Sequence, residues 1–244
     1  MDAAWTAAPA LSLVIPVYNE RDSLAPLLGE IQAALGARGD RGYEILFVDD
    51  GSTDGSDRVL AGLRRSDRRV RVVTLRANAG QSAALEAGFR RARGAVVVTL
   101  DADLQNDPAD IPRLLEALES CDAVVGTRVR RRDGLLRRLS SRVANYVRNR
   151  LSDESIADTG CSLKAFRREA LLRLRLYDGM HRFLPTLMRM EGFRVREIGV
   201  GHRPRRHGRS RYGFGHRVVP AFLDLLAVRW MKRRRLRYEV KDDA

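Results

Sequence analysis

Cysteine is scarce in this 244-residue chain: there are two, Cys121 and Cys161, at a spacing that fits neither a metal knuckle nor a disulfide framework. Both are expected to be small packed residues in a reducing compartment. No stretch reaches the ~18 consecutive apolar residues needed to cross a bilayer. The nearest, VVPAFLDLLAVRW at 218–230, is short and carries Asp224. Residues 1–10 lack the basic start and apolar run of a signal peptide. These absences exclude a disulfide-stapled secreted domain. They leave the expectation of a cytoplasmic chain that is soluble or lies on a membrane without crossing it.

What is abundant is positive charge, unevenly spread. Residues 1–120 hold 14 Lys and Arg against 18 Asp and Glu, whereas residues 121–244 hold 31 against 13. The second half therefore presents a surface suited to phosphates, anionic lipid or nucleic acid, or simply a solvated arginine-rich face. An apolar share of 44% allows a substantial core. The first half alternates strand and helix patterns. Strands are expected at 11–17, 43–50, 70–76, 95–103 and 122–128, and helices at 23–39, 53–66, 80–93 and 107–120. Near-continuous apolar strands between helices predict a parallel sheet covered on both faces. Later, 134–152 reads as a basic amphipathic helix and 161–171 as a short strand leading into a helix. A further helix is expected at 180–192, a strand at 193–203, a basic glycine-containing loop at 202–217, and an apolar helix at 217–231 before a cationic cluster. The expected division is a tail (1–10), a catalytic domain (11–216) and a C-terminal amphipathic helix with a basic tail (217–244).

In such sheets ligands sit beyond the carboxyl ends of the strands. Those ends carry Pro16, Tyr18 and Glu20; Asp49 and Asp50; Arg76 and Asn78; Asp101, Asp103 and Gln105; and Arg128. The fourth group is unusual, because TLDADLQNDP sets two carboxylates at the end of an apolar strand. Carboxylates are rarely buried without a partner, so a cation, hydrogen-bond donors or water must reach them. If extended geometry persists, residues 101, 103 and 105 point to one side. Carboxylate and amide oxygens are hard ligands suited to Mg²⁺ or Mn²⁺, completed by substrate phosphates and water. The alternative is structural: one aspartate caps the helix after Pro108 and the other faces solvent. Asp49-Asp50-Gly51-Ser52-Thr53 reads similarly, with Ser52 or Thr53 capping the next helix and Asp50 facing a ligand.

Taken in order, SLVIPVYNE, VDDGSTDGS, NAGQSAALEAGF, LDADLQNDP, VVGTR and RRHGRSRYGF resemble the family 2 glycosyltransferases of GT-A fold. The nearest branch contains dolichyl-phosphate mannose synthase and the bacterial polyprenyl-phosphate sugar transferases. The resemblance runs from about residue 11 to about residue 230. It implies an α/β fold, a Rossmann-like, mostly parallel sheet flanked by helices, with C-terminal amphipathic helices. It also implies roles. Pro16, Tyr18, Glu20, Val48 and Asp50 would form the nucleoside pocket. Asp101 and Ala102 would line the donor, and Asp103 and Gln105 would hold the divalent metal. Arg128 and Arg205 would meet phosphate and, with Asp101 and Asp103, make up the catalytic set. Arg211 stands where the family usually has Lys, which keeps the charge but not the compact ammonium. Arg137, Arg138 and Ser141 are expected at the acceptor phosphate.

The implied reaction moves a sugar, with inversion, from a nucleoside diphosphate to a polyprenyl phosphate at the cytoplasmic membrane face. The expected partners are the donor, the acceptor, an anionic membrane surface and a membrane-embedded partner protein. Many bacterial members carry transmembrane helices after the catalytic domain, and none is expected within these 244 residues. Alternatives are a saccharide or protein acceptor, which would need a base, and a sugar nucleotidyltransferase. The latter would want a glycine-rich phosphate loop where Pro16-Val17-Tyr18-Asn19-Glu20 stands. Nucleic-acid binding is disfavoured by the acidic strand ends, which would repel a polyanion.

Overall fold

The structure is a computed structural model that describes residues 9–36, 42–129, 156–204 and 215–236. Its strands are β1 (Leu11–Val17), β2 (Tyr43–Asp49), β3 (Val70–Thr74), β4 (Val96–Thr99), β5 (Ala123–Arg128), β6 (Lys164–Arg167) and β7 (Val195–Val200). The helices are α1 (Arg21–Leu35), α2 (Ser56–Ser66), α3 (Gln81–Arg91), α4 (Ile111–Leu118), α5 (Arg168–Leu172), α6 (Leu184–Met190) and α7 (Gly215–Arg234). Turns of 3₁₀ helix occupy Pro108–Asp110 and Met180–Phe183. The stretch 134–152, expected as a basic amphipathic helix, lies outside the described residues.

The strands form one sheet in the order β3-β2-β1-β4-β6-β5-β7. Strands β1 to β4 pair in parallel, and β5 pairs in parallel with β7. The sheet is mixed, not wholly parallel, because β6 runs antiparallel between β4 and β5. All five strands of the first half still end on one rim, and β6 begins there.

Alternation along the strands feeds two cores. Leu13, Ile15, Ile45, Phe47, Val98 and Ala165 face one way, against Leu24, Leu27 and Ile31 of α1, Leu60 of α2 and Leu114 of α4. Val14, Leu46, Val48, Val97 and Phe166 face the other, against Leu85 and Phe89 of α3, Leu187 of α6, and Leu225 and Val228 of α7. The first helix shows why the spacing works: its buried residues 24, 27, 28, 31 and 35 trace one helical face. Gly88 lets α3 lie close on the sheet, since a Cβ there would collide with Val14.

The far rim is tied by a buried carboxylate. Glu44 accepts from Ser12 Oγ (2.6 Å), Arg71 Nη1 (2.6 Å) and the Arg93 N–H (2.7 Å). This charged cluster belongs to the scaffold, at the end away from the carboxyl ends of the parallel strands.

Candidate functional site

The site is built from short turns that leave the rim. After β1, Asn19 takes a left-handed conformation (φ 58°), which Asn tolerates better than most residues. Its side-chain oxygen accepts from the N–H groups of Thr53 (2.6 Å) and Asp54 (3.2 Å), and its own N–H donates to Ser52 Oγ (2.9 Å). Ser52 and Thr53 therefore do not cap α2, as the sequence suggested. They stitch the β1 and β2 turns together, and Asp54 accepts from the N–H of Ser56 at the helix start (3.0 Å).

Asp50 is buried, and its carboxylate accepts from Asn78 Nδ2 (3.1 Å) and from the N–H groups of Ala79 (2.7 Å) and Gly80 (2.9 Å). A carboxylate has about four acceptor positions, so one remains for a ligand. Gly51 makes the close approach possible: its φ is +72°, and a Cβ would come within 2.8 Å of the Asn78 nitrogen. Asp49 is spent on the N–H of Ser52 (3.0 Å). Donors of the neighbouring turns thus answer the repulsion among acidic strand ends.

The turn after β4 departs from expectation. The strand stops at Thr99, and Leu104 adopts φ 62°, a costly conformation for a residue with a Cβ. Extended geometry does not persist to residue 105. Burial nevertheless alternates: Ala102 and Leu104 enter the core, while Asp101, Asp103 and Gln105 stay half-buried. The strained turn thus turns its polar residues out of the core without a strand. The Gln105 backbone N–H donates to Asp103 Oδ1 (3.1 Å), which fixes the Asp103 side chain on the turn, while Gln105 Nε2 donates to the Arg203 carbonyl (3.5 Å). Among the described residues no three His, Cys, Asp or Glu side chains gather as a metal cage. One carboxylate and one amide oxygen fit a hard divalent cation that takes its other ligands from phosphate and water. Asp107, not Asp101 or Asp103, caps the next turn, accepting from the N–H of Ala109 (3.0 Å).

A cavity of about 280 Å³ opens beside this turn, lined among others by Pro16, Gln81, Asp101, Arg128, Ser162 and Lys164. Gln81 Nε2 donates to Asp101 Oδ1 (2.8 Å). Ser162 Oγ accepts from Asn106 Nδ2 (2.8 Å), and the Ser162 carbonyl accepts from Thr99 Oγ1 (2.7 Å). At the end of β5, Arg128 forms a two-pronged pair with Asp158: Nε to Oδ2 at 2.6 Å and Nη2 to Oδ1 at 2.9 Å. Burial pushes the thiol of Cys161 up, so it stays a neutral packed group; Cys121 is likewise buried and free.

Of the residues expected at the site, Pro16, Asp101 and Arg128 line this one cavity. Asp103 and Gln105 follow on the same turn. Tyr18 and Glu20 sit on the turn after β1 with open surface. Val48 and Ala102 are buried in the two cores, so their side chains present no surface to the rim and support it from behind. Arg137, Arg138, Ser141, Arg205 and Arg211 lie outside the described residues. The lead into the basic loop is described and is tied to the acidic turn. The Arg203 N–H donates to the Gln105 carbonyl (2.8 Å), and its guanidinium pairs with Glu30 (2.8 Å) and Asp107 (2.5 Å).

Sequence reasoning missed Gln81, Asp158, Ser162 and Lys164. Gln81 opens a helix next to a glycine, a weak signal that was available. The others depend on β6 turning back along β4, which no local pattern announces.

Residues 12–175 match the family model for Glycosyl transferase family 2. The chain is 41% identical over 236 residues to the dodecaprenyl-phosphate galacturonate synthase of Rhizobium johnstonii, covering 93% of this chain and 68% of that protein. It is 44% identical over 205 residues to the undecaprenyl-phosphate 4-deoxy-4-formamido-L-arabinose transferase of Edwardsiella ictaluri, covering 83% of this chain and 63% of that one. It therefore spans about two thirds of the length of these relatives. Among solved structures, glucosyl-3-phosphoglycerate synthase from Mycobacterium tuberculosis, in complex with Mn²⁺, UDP and phosphoglyceric acid, superposes with a TM-score of 0.68 at 21% identity, covering 95% of this chain and 80% of that one. That likeness extends to the fold.

Proposed function

The chain belongs to glycosyl transferase family 2, and from that premise we propose that it moves a sugar from a nucleoside diphosphate to a polyprenyl phosphate, with inversion. The observation that carries this reading is a cavity lined by both Asp101 and Arg128, beside a turn whose Asp103 and Gln105 suit a hard cation. The two relatives above support the acceptor class, since both are named for polyprenyl-phosphate chemistry.

The roles follow from charge. Breaking the sugar–phosphate bond leaves positive character on the sugar and negative charge on the departing diphosphate. Asp101, half-buried and held by Gln81, is poised to touch the donor sugar. Arg128, fixed by Asp158 through Nε and Nη2, would offer its Nη1 side to phosphate oxygens. Asp103 and Gln105 would hold Mg²⁺ or Mn²⁺, which when bound draws charge off the leaving group; the solved neighbour named above carries Mn²⁺ with UDP. Pro16, Tyr18, Glu20 and the remaining acceptor position of Asp50 would border the nucleoside. Arg205 and Arg211 would add to the phosphate charge balance, and Arg137, Arg138 and Ser141 would meet the acceptor. A phosphate monoester has a second pKa of about 6, so the acceptor is already an oxyanion at neutral pH and needs no strong base.

Incubation with labelled nucleotide sugars, Mn²⁺ and a short polyprenyl phosphate should yield a labelled, solvent-extractable lipid. Label found only on an added saccharide, or only as free sugar, would overturn the acceptor assignment.

We also propose that the enzyme works at the inner membrane face, docked through α7, with or without a membrane-embedded partner protein. No helix among the described residues is long and apolar enough to cross a bilayer. One side of α7 is core, with Leu225 and Val228 buried. On the opposite side Phe222, Leu223, Leu226 and Trp230 are exposed, by 46, 58, 40 and 64%. At 3.6 residues per turn these four share one stripe, and Arg233 and Arg234 follow it. Exposed apolar stripes edged by cations suit a lipid interface. Each such cation contributes about 1 kcal/mol on an anionic surface. Replacing Lys232, Arg233, Arg234 and Arg235 by Gln should therefore weaken partition onto phosphatidylserine-containing vesicles by about 100-fold or more. Unchanged co-sedimentation would remove the docking role.

A further inference from the structure

Lysine is almost absent from this chain. Of 45 Lys and Arg residues, three are Lys, and two of those, Lys232 and Lys241, belong to the C-terminal end. The third, Lys164, is 4% exposed and is the first residue of β6. It pairs across to Thr99 on one side and to Val125 on the other. Directly paired residues share a face of the sheet, so Lys164 and Thr99 look the same way, and both line the cavity at the rim.

Buried lysines are nearly always paired. Among the described residues, no carboxylate lies within ion-pair distance of the Lys164 ammonium. Its charged neighbours are Asp101, Asp158 and Arg128, with the Cys161 thiol close by. Asp158 is already committed to Arg128, and one oxygen of Asp101 to Gln81. Burial holds the ammonium below the usual lysine range, while Cys161, Asp101 and Asp158 draw it back up. In a chain whose positive charge is otherwise almost all Arg, a compact ammonium stands at this enclosed position.

We infer that Lys164 is a donor-binding residue whose ammonium pairs with an anionic oxygen of the nucleotide sugar inside this cavity. The inference rests on the function proposed above and adds a residue to it. Two parts of a donor carry such an oxygen: the diphosphate, and the carboxylate of an acidic sugar. Either would supply the close ion pair that Lys164 lacks among the described residues.

Affinity and stability together make the test. Lys164→Met keeps the length of the side chain and removes its charge. Titration calorimetry with Mn²⁺ would compare UDP, GDP, UDP-glucose, GDP-mannose and UDP-galacturonate on the wild type and this variant, alongside Tm. Removing one charge-assisted hydrogen bond from a buried site should weaken binding by about 10- to 100-fold. Because the cation is unpaired without ligand, Tm should hold or rise by a few degrees. Equal weakening toward the free nucleotide and its sugars would identify the diphosphate as the partner. Weakening confined to UDP-galacturonate would identify the sugar carboxylate. Unchanged affinities for every probe the wild type binds would overturn the inference and leave the glycosyltransferase reading intact. A lowered Tm with unchanged affinity would overturn it in favour of a packing role. Wild-type protein that bound none of the probes would instead strike at the reading beneath. If Lys164→Met does not fold, Lys164→Gln is read by the same criteria.

Discussion

Asp103→Asn should cut turnover by about 10²- to 10³-fold, the usual loss when one electrostatic stabiliser of a developing charge is removed. The substitution keeps shape and hydrogen bonding. Asn can still accept from the Gln105 N–H through its amide oxygen, as Asp103 Oδ1 does at 3.1 Å, so the strained turn at Leu104 should survive and Tm should change little. On the proposed metal role, what disappears is negative charge on a hard oxygen ligand, and affinity for Mg²⁺ or Mn²⁺ should fall with it. The expected signature is a turnover that rises again only at much higher metal concentration. Near-normal activity at the wild-type metal optimum would refute the metal role of Asp103. Gln105→Ala should act in the same direction more weakly, because it removes a neutral ligand.

The second large effect is expected at Asp158, a residue that the motifs did not mark. Its carboxylate holds the Arg128 guanidinium by two hydrogen bonds, and the Asp158 and Arg128 side chains are 8% and 19% exposed respectively. Removing one partner of so enclosed a pair leaves the other charge stranded, at a cost of about 3 kcal/mol. Asp158→Asn should lower Tm by roughly 6–12 °C on the scale of a domain this size. It should also weaken donor binding, because Arg128 is no longer aimed. Arg128→Gln should do similar damage. Since both substitutions break the same pair, the double variant should cost at least about 1 kcal/mol less than the two added together. Strict additivity would mean that the pair does not orient the guanidinium. Gly160 belongs to the same device. A Cβ there would come within 3.1 Å of Arg128 Nη2.

Particular residues show how far the sequence can be read. Leu11–Val17 and Ala123–Arg128 are legible almost to the residue, because an apolar run closed by a polar turn marks a buried parallel strand. The Asp107-Pro108 helix start is equally plain and holds. The fourth strand stops well short of the end its pattern predicts. Apolar alternation continues through Leu100 and Ala102, and nothing local reveals that Leu104 turns left-handed. Likewise 161–171 is legible as a strand followed by a helix, but not its direction. Strand pairing is set between residues far apart in the chain, and the antiparallel β6 pairs with residues of β4 more than 60 positions away and with residues of β5 about 40 away. The set Lys164, Ser162 and Asp158 is hidden for that reason.

By itself, then, the sequence determined the class of fold and the rim at which the strand-end motifs gather, because those follow from local periodicity and from turns that must be polar. The tertiary structure alone decided which polar groups are already consumed, as Asp49 and most of Asp50 are, and which meet across the cavity. Hydrogen bonding and burial are properties of neighbours in space, and the reversal of one short strand brought Lys164 to the lining of the cavity.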